Sequence, residues 1–251
     1  QFTGVTLKPA DGEQIEITFD QPKDIDLFTL TDGATADLLS DTTVPSGAYE
    51  WVRLAVNAEF DNVMDSYAMR PTGMYEIRVP SGSQNGLKLV SGFTVLAEGA
   101  TNLVIDWDLR KALSDPQGQP GLHLRPALRI TDMAAYGTLA GAVALETVDD
   151  KDVCTNDLML DTGNAVYVYE GVIDPPGDIG DATTEPFTTA TVSQDDAGNY
   201  TYQANFLPVG EYSAAFTCQA SDDDPELDDD IVFTKPQSFD IGDGLTTEIN
   251  F

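Results

Sequence analysis

A two-residue period in the apolar side chains dominates this chain and constrains its fold more than any other feature. Tyr49-Glu50-Trp51-Val52-Arg53-Leu54-Ala55-Val56 and Ile15-Glu16-Ile17-Thr18-Phe19 place apolar and polar side chains on opposite faces of an extended backbone, and both are rich in β-branched and aromatic residues. Asp11-Gly12, between Val5–Leu7 and Ile15–Phe19, is a hairpin signal. Apolar alternation continues through Ile25–Leu30, a turn at Asp32-Gly33, and Thr35–Leu39. From Val79 to Ile130 the chain reads VPSGSQNGLKL, then IDWDLRKAL, then LHLRPALRI. Pro80-Ser81-Gly82 and Asn85-Gly86 supply turn chemistry. The alternating segments around Leu87–Leu89, Phe93–Val95 and Leu103–Leu109 predict a β-meander with one buried face. Helical periodicity is nearly absent, and only Asp108–Leu113 reads as a helical turn. Thr42–Gly47 and Asp115–Gly121 read as loops, and Asp61–Gly73 as a longer insertion.

The same pattern resumes in the second half. Gly137–Leu145 alternates small and apolar residues, and Ala165–Tyr169 is a strand. Asp174-Pro175-Pro176-Gly177 cannot extend it, because proline lacks the ladder donor. Val44-Pro45-Ser46-Gly47-Ala48-Tyr49 is echoed by Leu207-Pro208-Val209-Gly210-Glu211-Tyr212, each a tight Pro-x-Gly turn with an aromatic opening an inward-facing strand.

Charge separates the halves. The 251 residues carry 12 basic and 43 acidic side chains, net −31. Residues 1–133 hold 10 of the basic and 19 of the acidic ones; residues 134–251 hold 2 and 24. This break predicts a boundary near Ala134–Gly137 and two domains, 1–133 and 134–251. Such a surface repels phosphate, so nucleic acid is excluded as a partner. With 41% hydrophobic residues the chain is nevertheless globular. No stretch approaches the length of a transmembrane helix. Cys154 and Cys218 belong to no CxxC pair, which argues against zinc, and their even number predicts one disulfide of the kind exported chains form. Two buried free thiols are the other reading. The first residues already read as part of a strand without an initiating Met, which predicts a preceding leader.

Candidates for chemistry are few. His123 is the sole histidine and lies in an alternating strand with no nucleophile motif beside it. There is no G-x-S-x-G elbow, no HExxH and no phosphate-binding glycine loop, so no catalytic residue and no organic cofactor is expected. Asp106 and Asp108, flanking Trp107, form the one tempting carboxylate pair for a hydrolase. Two residues apart on a strand they would share a face, with Trp107 turned to the core and Arg110, Arg125 or Arg129 as ion-pair partners. Calcium suits the acidic half better, since hard cations take oxygen ligands from acidic loops. The candidate ligands are Asp149, Asp150 and Asp152, with Asn156 and Asp157 nearby; the loop Asp174–Asp181; and Asp222, Asp223, Asp224, Asp228, Asp229 and Asp230. None fits the EF-hand pattern, and Asp222–Asp230 also reads as a solvated hairpin tip.

Two resemblances rest on these motifs. The PSG-x-Q-x-GLKL turn (Pro80–Leu89), the IDWDLRKA segment (Ile105–Ala112, with Trp107 where the family has Phe) and the closing L-x-P-x-x-R strand (Leu124–Arg129) resemble bacterial surface lipoproteins catalogued as domain of unknown function 4382. The likeness spans nearly all of residues 1–133. It implies a β-sandwich with an additional strand before the position of Phe2, a strand that another subunit could donate. Asp195-Asp196-Ala197-Gly198-Asn199-Tyr200-Thr201-Tyr202 followed by Leu207–Tyr212 resembles the carboxypeptidase regulatory-like, transthyretin-like sandwich over residues 137–251, a non-catalytic module of exported proteins. Together they imply an all-β chain of two tandem antiparallel β-sandwich (Ig-like/transthyretin-like) domains, a structural or adhesive protein of the bacterial cell surface or extracellular space. Expected partners are identical subunits joined by strand exchange, or a surface glycan or protein.

Overall fold

The computed structural model describes residues 1–31, 33–80, 86–116, 118, 121–144, 147 and 163–251. The protein is all-β, and its chain divides into two compact units, Gln1–Asp132 and Met133–Phe251.

In the first unit, β1 (Phe2–Pro9) and β2 (Ile15–Lys23) form the hairpin that Asp11-Gly12 announced. They are followed by β3 (Gly47–Val56), β4 (Tyr67–Arg70), β5 (Gly73–Arg78), β6 (Leu87–Leu89), β7 (Phe93–Val95), β8 (Leu103–Trp107), the single helical turn α1 (Leu109–Ala112), β9 (Leu113–Ser114), β10 (Leu122–Leu124) and β11 (Leu128–Asp132). The main sheet runs β2-β1-β3-β6, with β7 also on β3; a second runs β4-β5-β10-β9, and β11 pairs with β8. The core gathers Phe2, Val5, Leu7, Tyr49, Val52, Leu54 and Leu87 from the main sheet with Leu124 from β10.

Several expectations are corrected here. The meander does not form: β6 and β7 both pair with β3, at Leu54↔Leu87 and Tyr49↔Phe93, while β8 leaves to pair with β11. Local alternation cannot distinguish these arrangements, because each buries one face of every strand. The insertion at Asp61–Gly73 contains β4, in a hairpin with β5. The segment from Ile25 to Leu39 contributes no strand among its described residues, and Leu27–Thr29 is a 3-10 turn capped by Asp26. β1 is hydrogen-bonded on both sides, by β2 and β3, so no edge beside it is open to a donated strand. The edges of this sheet are β2, where Pro22 and Lys23 blunt the edge, and β6 with β7 on the other side.

Gly86, the glycine of GLKL, has φ +53°, and a Cβ there would lie 2.4 Å from the Leu54 carbonyl oxygen. The motif therefore marks a close passage of the chain over β3, which only glycine permits. Residues 81–85 of the motif lie outside the described residues.

The second unit contains β12 (Tyr136–Val143), β13 (Ala165–Glu170), β14 (Thr188–Thr191), β15 (Ser193–Gln194), β16 (Tyr200–Pro208), β17 (Gly210–Thr217), β18 (Gln237–Ile241) and β19 (Thr246–Glu248). One sheet is β15-β16-β12-β19 and the other β14-β13-β17-β18. Leu139, Tyr202 and Leu207 of the first sheet and Val166, Val168, Phe216 and Phe239 of the second share one core. A smaller core of Ala165, Tyr167, Tyr169, Ile179, Ala215 and Ala220 covers the opposite face of β13 and β17. β13 is thus buried on both faces, which accounts for its uninterrupted apolar run AVYVY.

The Pro-x-Gly-x-Tyr echo has one physical meaning in both units. The Tyr49 hydroxyl donates to the Pro45 carbonyl at 2.7 Å, and the Tyr212 hydroxyl donates to the Pro208 carbonyl at 3.0 Å. Each ring then stacks on a neighbouring strand's phenylalanine, Phe93 at 4.8 Å and Phe239 at 5.9 Å between centroids. Each tyrosine ties the turn that precedes its strand to the core, as a tyrosine corner does.

Candidate metal centre

The outer face of β13 positions the site. Tyr167 and Tyr169 point away from the main core and are covered by two acidic loops, one between β13 and β14 and one between β17 and β18. The Tyr169 hydroxyl donates to the Gly177 carbonyl at 2.7 Å, and the Tyr167 hydroxyl donates to Asp223 Oδ2 at 2.5 Å. These bonds draw Asp178 of the first loop and Asp223 and Asp229 of the second together. One carboxylate oxygen from each of the three lies within 4.8 Å of the others.

Asp178 is 2% exposed and Asp223 8%, and Asp229 is half-buried. Asp178 Oδ2 accepts from the Asp229 backbone N–H at 2.5 Å, and Asp223 Oδ2 also accepts from the Ile179 N–H at 3.3 Å. Asp229 Oδ2 accepts from the Asp224 N–H at 2.7 Å. The other oxygens of the two buried carboxylates, Oδ1 of Asp178 and Oδ1 of Asp223, have no hydrogen-bond partner. Burial pushes the Asp223 carboxyl above the ordinary carboxylate range, reinforced by the charges of Asp178 and Asp229 and opposed by the Tyr167 and Ile179 hydrogen bonds. Burial, and then the charges of Asp223, Asp178 and Asp181, raise the Tyr169 phenol well above its usual value. Asp181, at the surface, is held well below the usual range by hydrogen bonds from Thr184 and Thr183.

Two of the candidate acidic loops therefore converge, through residues 45 or more positions apart. Of the sequence candidates, Asp223 and Asp229 lie in the cluster, while Asp222, Asp224, Asp228 and Asp230 are exposed. Asp149, Asp150 and Asp152 lie outside the described residues. Asp178 could be read from sequence only as one of several acids in the Asp174–Asp181 loop; its burial beside Tyr167 and Asp223 is a tertiary fact. Cys218 is buried at the end of β17, and Cys154, its expected disulfide partner, lies outside the described residues.

The carboxylate pair Asp106 and Asp108 does not assemble as expected. Asp106, on β8, faces Arg129 of β11 across the ladder, with 2.5 Å between Oδ2 and Nη2. Asp108 has left the strand to cap α1, where Oδ1 accepts from the N–H groups of Arg110 and Lys111. Trp107 packs on the core, its ring 6.1 Å from that of Phe2. His123 is buried on β10, its Nε2 accepting from Arg78 Nε at 3.0 Å.

Burial raises the Asp106 carboxyl above the ordinary range, and the Arg129 charge only partly offsets it. A carboxyl raised in the folded state binds protons more tightly there than in the unfolded chain. Its contribution to stability therefore falls as pH rises from about 4 through the raised value. Asp106→Asn resembles the protonated wild type, so its stability relative to wild type should increase as pH rises through that window. Urea unfolding of both proteins between pH 4 and 7 measures the difference; a pH-independent difference would refute the assignment.

The fold and these side chains define an all-β protein with an acidic loop centre in its second unit. The chain belongs to the family described as domain of unknown function (DUF4382), whose model matches residues 1–126. The acidic cluster lies beyond the matched segment. No curated protein gives a significant match. Among solved structures, a 2.57 Å crystal structure of a candidate cell adhesion protein from Bacteroides fragilis aligns with 99% of this chain and 79% of its own, at 9% identity and a TM-score of 0.23. No helix among the described residues is long and apolar enough to cross a membrane.

Proposed function

We propose that the chain is a non-enzymatic structural or adhesive protein, exported to the outer-membrane surface or the extracellular space, with lipid anchorage through a preceding segment as one route of attachment. The observation that carries the reading is how the chemically capable side chains of the first unit are used. Asp106 holds Arg129 across a ladder, Asp108 caps α1 and His123 takes a hydrogen bond from Arg78. Each of these roles builds the scaffold, and none leaves an acid, base and nucleophile converging on a cleft. The strongly acidic surface suits a protein that stays soluble outside the cell, where salt screens self-repulsion. A Cys154–Cys218 disulfide belongs to the same reading, since such bonds persist in oxidising compartments.

Protease shaving of intact producing cells tests it. The protein should be released from the surface, without titratable thiols, and a deletion strain should lose attachment to glycan- or protein-coated surfaces. Recovery of the protein only from the cytosol would refute export. Assembly by strand exchange is a finer form of the reading, and electron microscopy of the released material should then show filaments. A monodisperse monomer in size-exclusion chromatography would remove that form. Calorimetry against polysaccharides tests a glycan partner in the same preparation.

A further inference from the structure

We infer that Asp178, Asp223 and Asp229 form a calcium site that fastens the loop between β13 and β14 to the loop between β17 and β18. Two independent observations meet here. Three carboxylates from two distant loops present oxygens within 4.8 Å of one another. Two of those side chains are more than nine-tenths buried, and each keeps one oxygen, Oδ1, with no donor. A buried carboxylate oxygen without a donor pays the full desolvation cost, and such atoms are rare in folded proteins unless something fills them.

The other fillings fit less well. No Lys or Arg among the described residues pairs with the three carboxylates, and residues 134–251 contain only two basic side chains, Lys151 and Lys235. Water could donate to both Oδ1 atoms but would leave three negative charges facing one another. A divalent cation supplies both what the oxygens lack and what the charges require. An all-oxygen set selects a hard cation. Calcium–oxygen distances of about 2.3–2.6 Å allow ligand oxygens up to about 5 Å apart around one ion, so the observed spacing needs no rearrangement of the backbone. Magnesium prefers one or two carboxylates and retains most of its water. The hydrogen bonds from Tyr167 and Ile179 hold Oδ2 of Asp223, and that from the Asp229 N–H holds Oδ2 of Asp178, so the two buried carboxylates are fixed in place while each keeps its Oδ1 for a ligand.

Surface acids on a chain of net charge −31 will also attract calcium loosely, so the test must separate the buried centre from that background. The full chain, stripped with a chelator, is titrated with calcium chloride and followed by calorimetry and thermal unfolding, with magnesium chloride in parallel. Terbium, read by emission sensitised through tyrosine, reports proximity to Tyr167. Calcium at roughly one hundred times its dissociation constant should raise the unfolding temperature of the second unit by about 10 °C. Asp178→Asn should abolish that rise, and Asp228→Asn, at an exposed neighbour, should leave it intact. Tyr167→Phe removes both a nearby sensitiser and the hydrogen bond to Asp223, so it should lower the terbium emission and weaken the calcium response together. If Asp178→Asn fails to fold, Asp229→Asn, at the half-buried position, serves in its place. An unresponsive wild type would overturn the site, and so would equal loss in the Asp178 and Asp228 variants.

Discussion

Phe216→Ala is expected to cost about 3–5 kcal/mol of folding stability and to act on the second unit alone. Phe216 lies on β17 opposite Val166 of β13 and is 1% exposed. Its ring packs in the core shared by both sheets of Met133–Phe251. Truncation removes a large apolar surface from water-free contact and leaves a cavity that twisted, hydrogen-bonded sheets close only in part. Against a typical domain stability of about 5–15 kcal/mol, that loss moves the unfolding transition by many degrees. Leu54→Ala is the reciprocal change in the first unit, where Leu54 is 1% exposed, and should cost about 2–5 kcal/mol. Differential scanning calorimetry should resolve two transitions, each mutation lowering one and leaving the other in place. One transition displaced as a whole by either mutation would show that the two cores do not unfold independently.

Gly180→Ala is the second large effect, and it strikes the acidic centre without touching a charge. A Cβ at Gly180 would fall 1.3 Å from the Leu227 carbonyl oxygen and 2.2 Å from its carbon, both backbone atoms that cannot rotate away. The loop that carries Asp178 and the loop that carries Asp223 and Asp229 pass at that point. One methyl group therefore forces them apart, at a cost of about 1–3 kcal/mol or more. Hydrogen exchange in residues 222–231 should quicken in the variant while exchange in β12 and β16 stays unchanged. Wild-type protection across both loops would mean that they are not held by this contact.

Much of the local structure was legible from the residues. Alternation located β1, β2, β3 and β12, because a half-buried strand writes itself as a two-residue period, and an unbroken apolar run located β13, which is buried on both faces. Asp11-Gly12 placed a hairpin, and Asp108 placed the helical turn Leu109–Ala112 that it caps. The repeated Pro-x-Gly-x-Tyr motif announced two equivalent corners, and both form with the hydroxyl on the proline carbonyl. Pairing was not legible. β6, β7 and β8 have the period of a meander, yet two of them share β3 and the third crosses to β11, because partner choice depends on the shape of the whole core. Asp106 and Asp108 looked like one pair on one strand face, until the strand ended at Trp107 and gave each acid its own partner.

The acidic centre divides in the same way. The residues themselves determined that the second half would be crowded with carboxylates, that these would fall in loops, and that hard cations were the chemistry they could serve. Only the tertiary structure decided which carboxylates meet. Two tyrosines on the outer face of β13 need cover, and the loops that cover them bring Asp178 beside Asp223 and Asp229. Burial then distinguishes those three from their exposed neighbours, for the physical reason that a charge taken out of water must find a partner while one left in water need not.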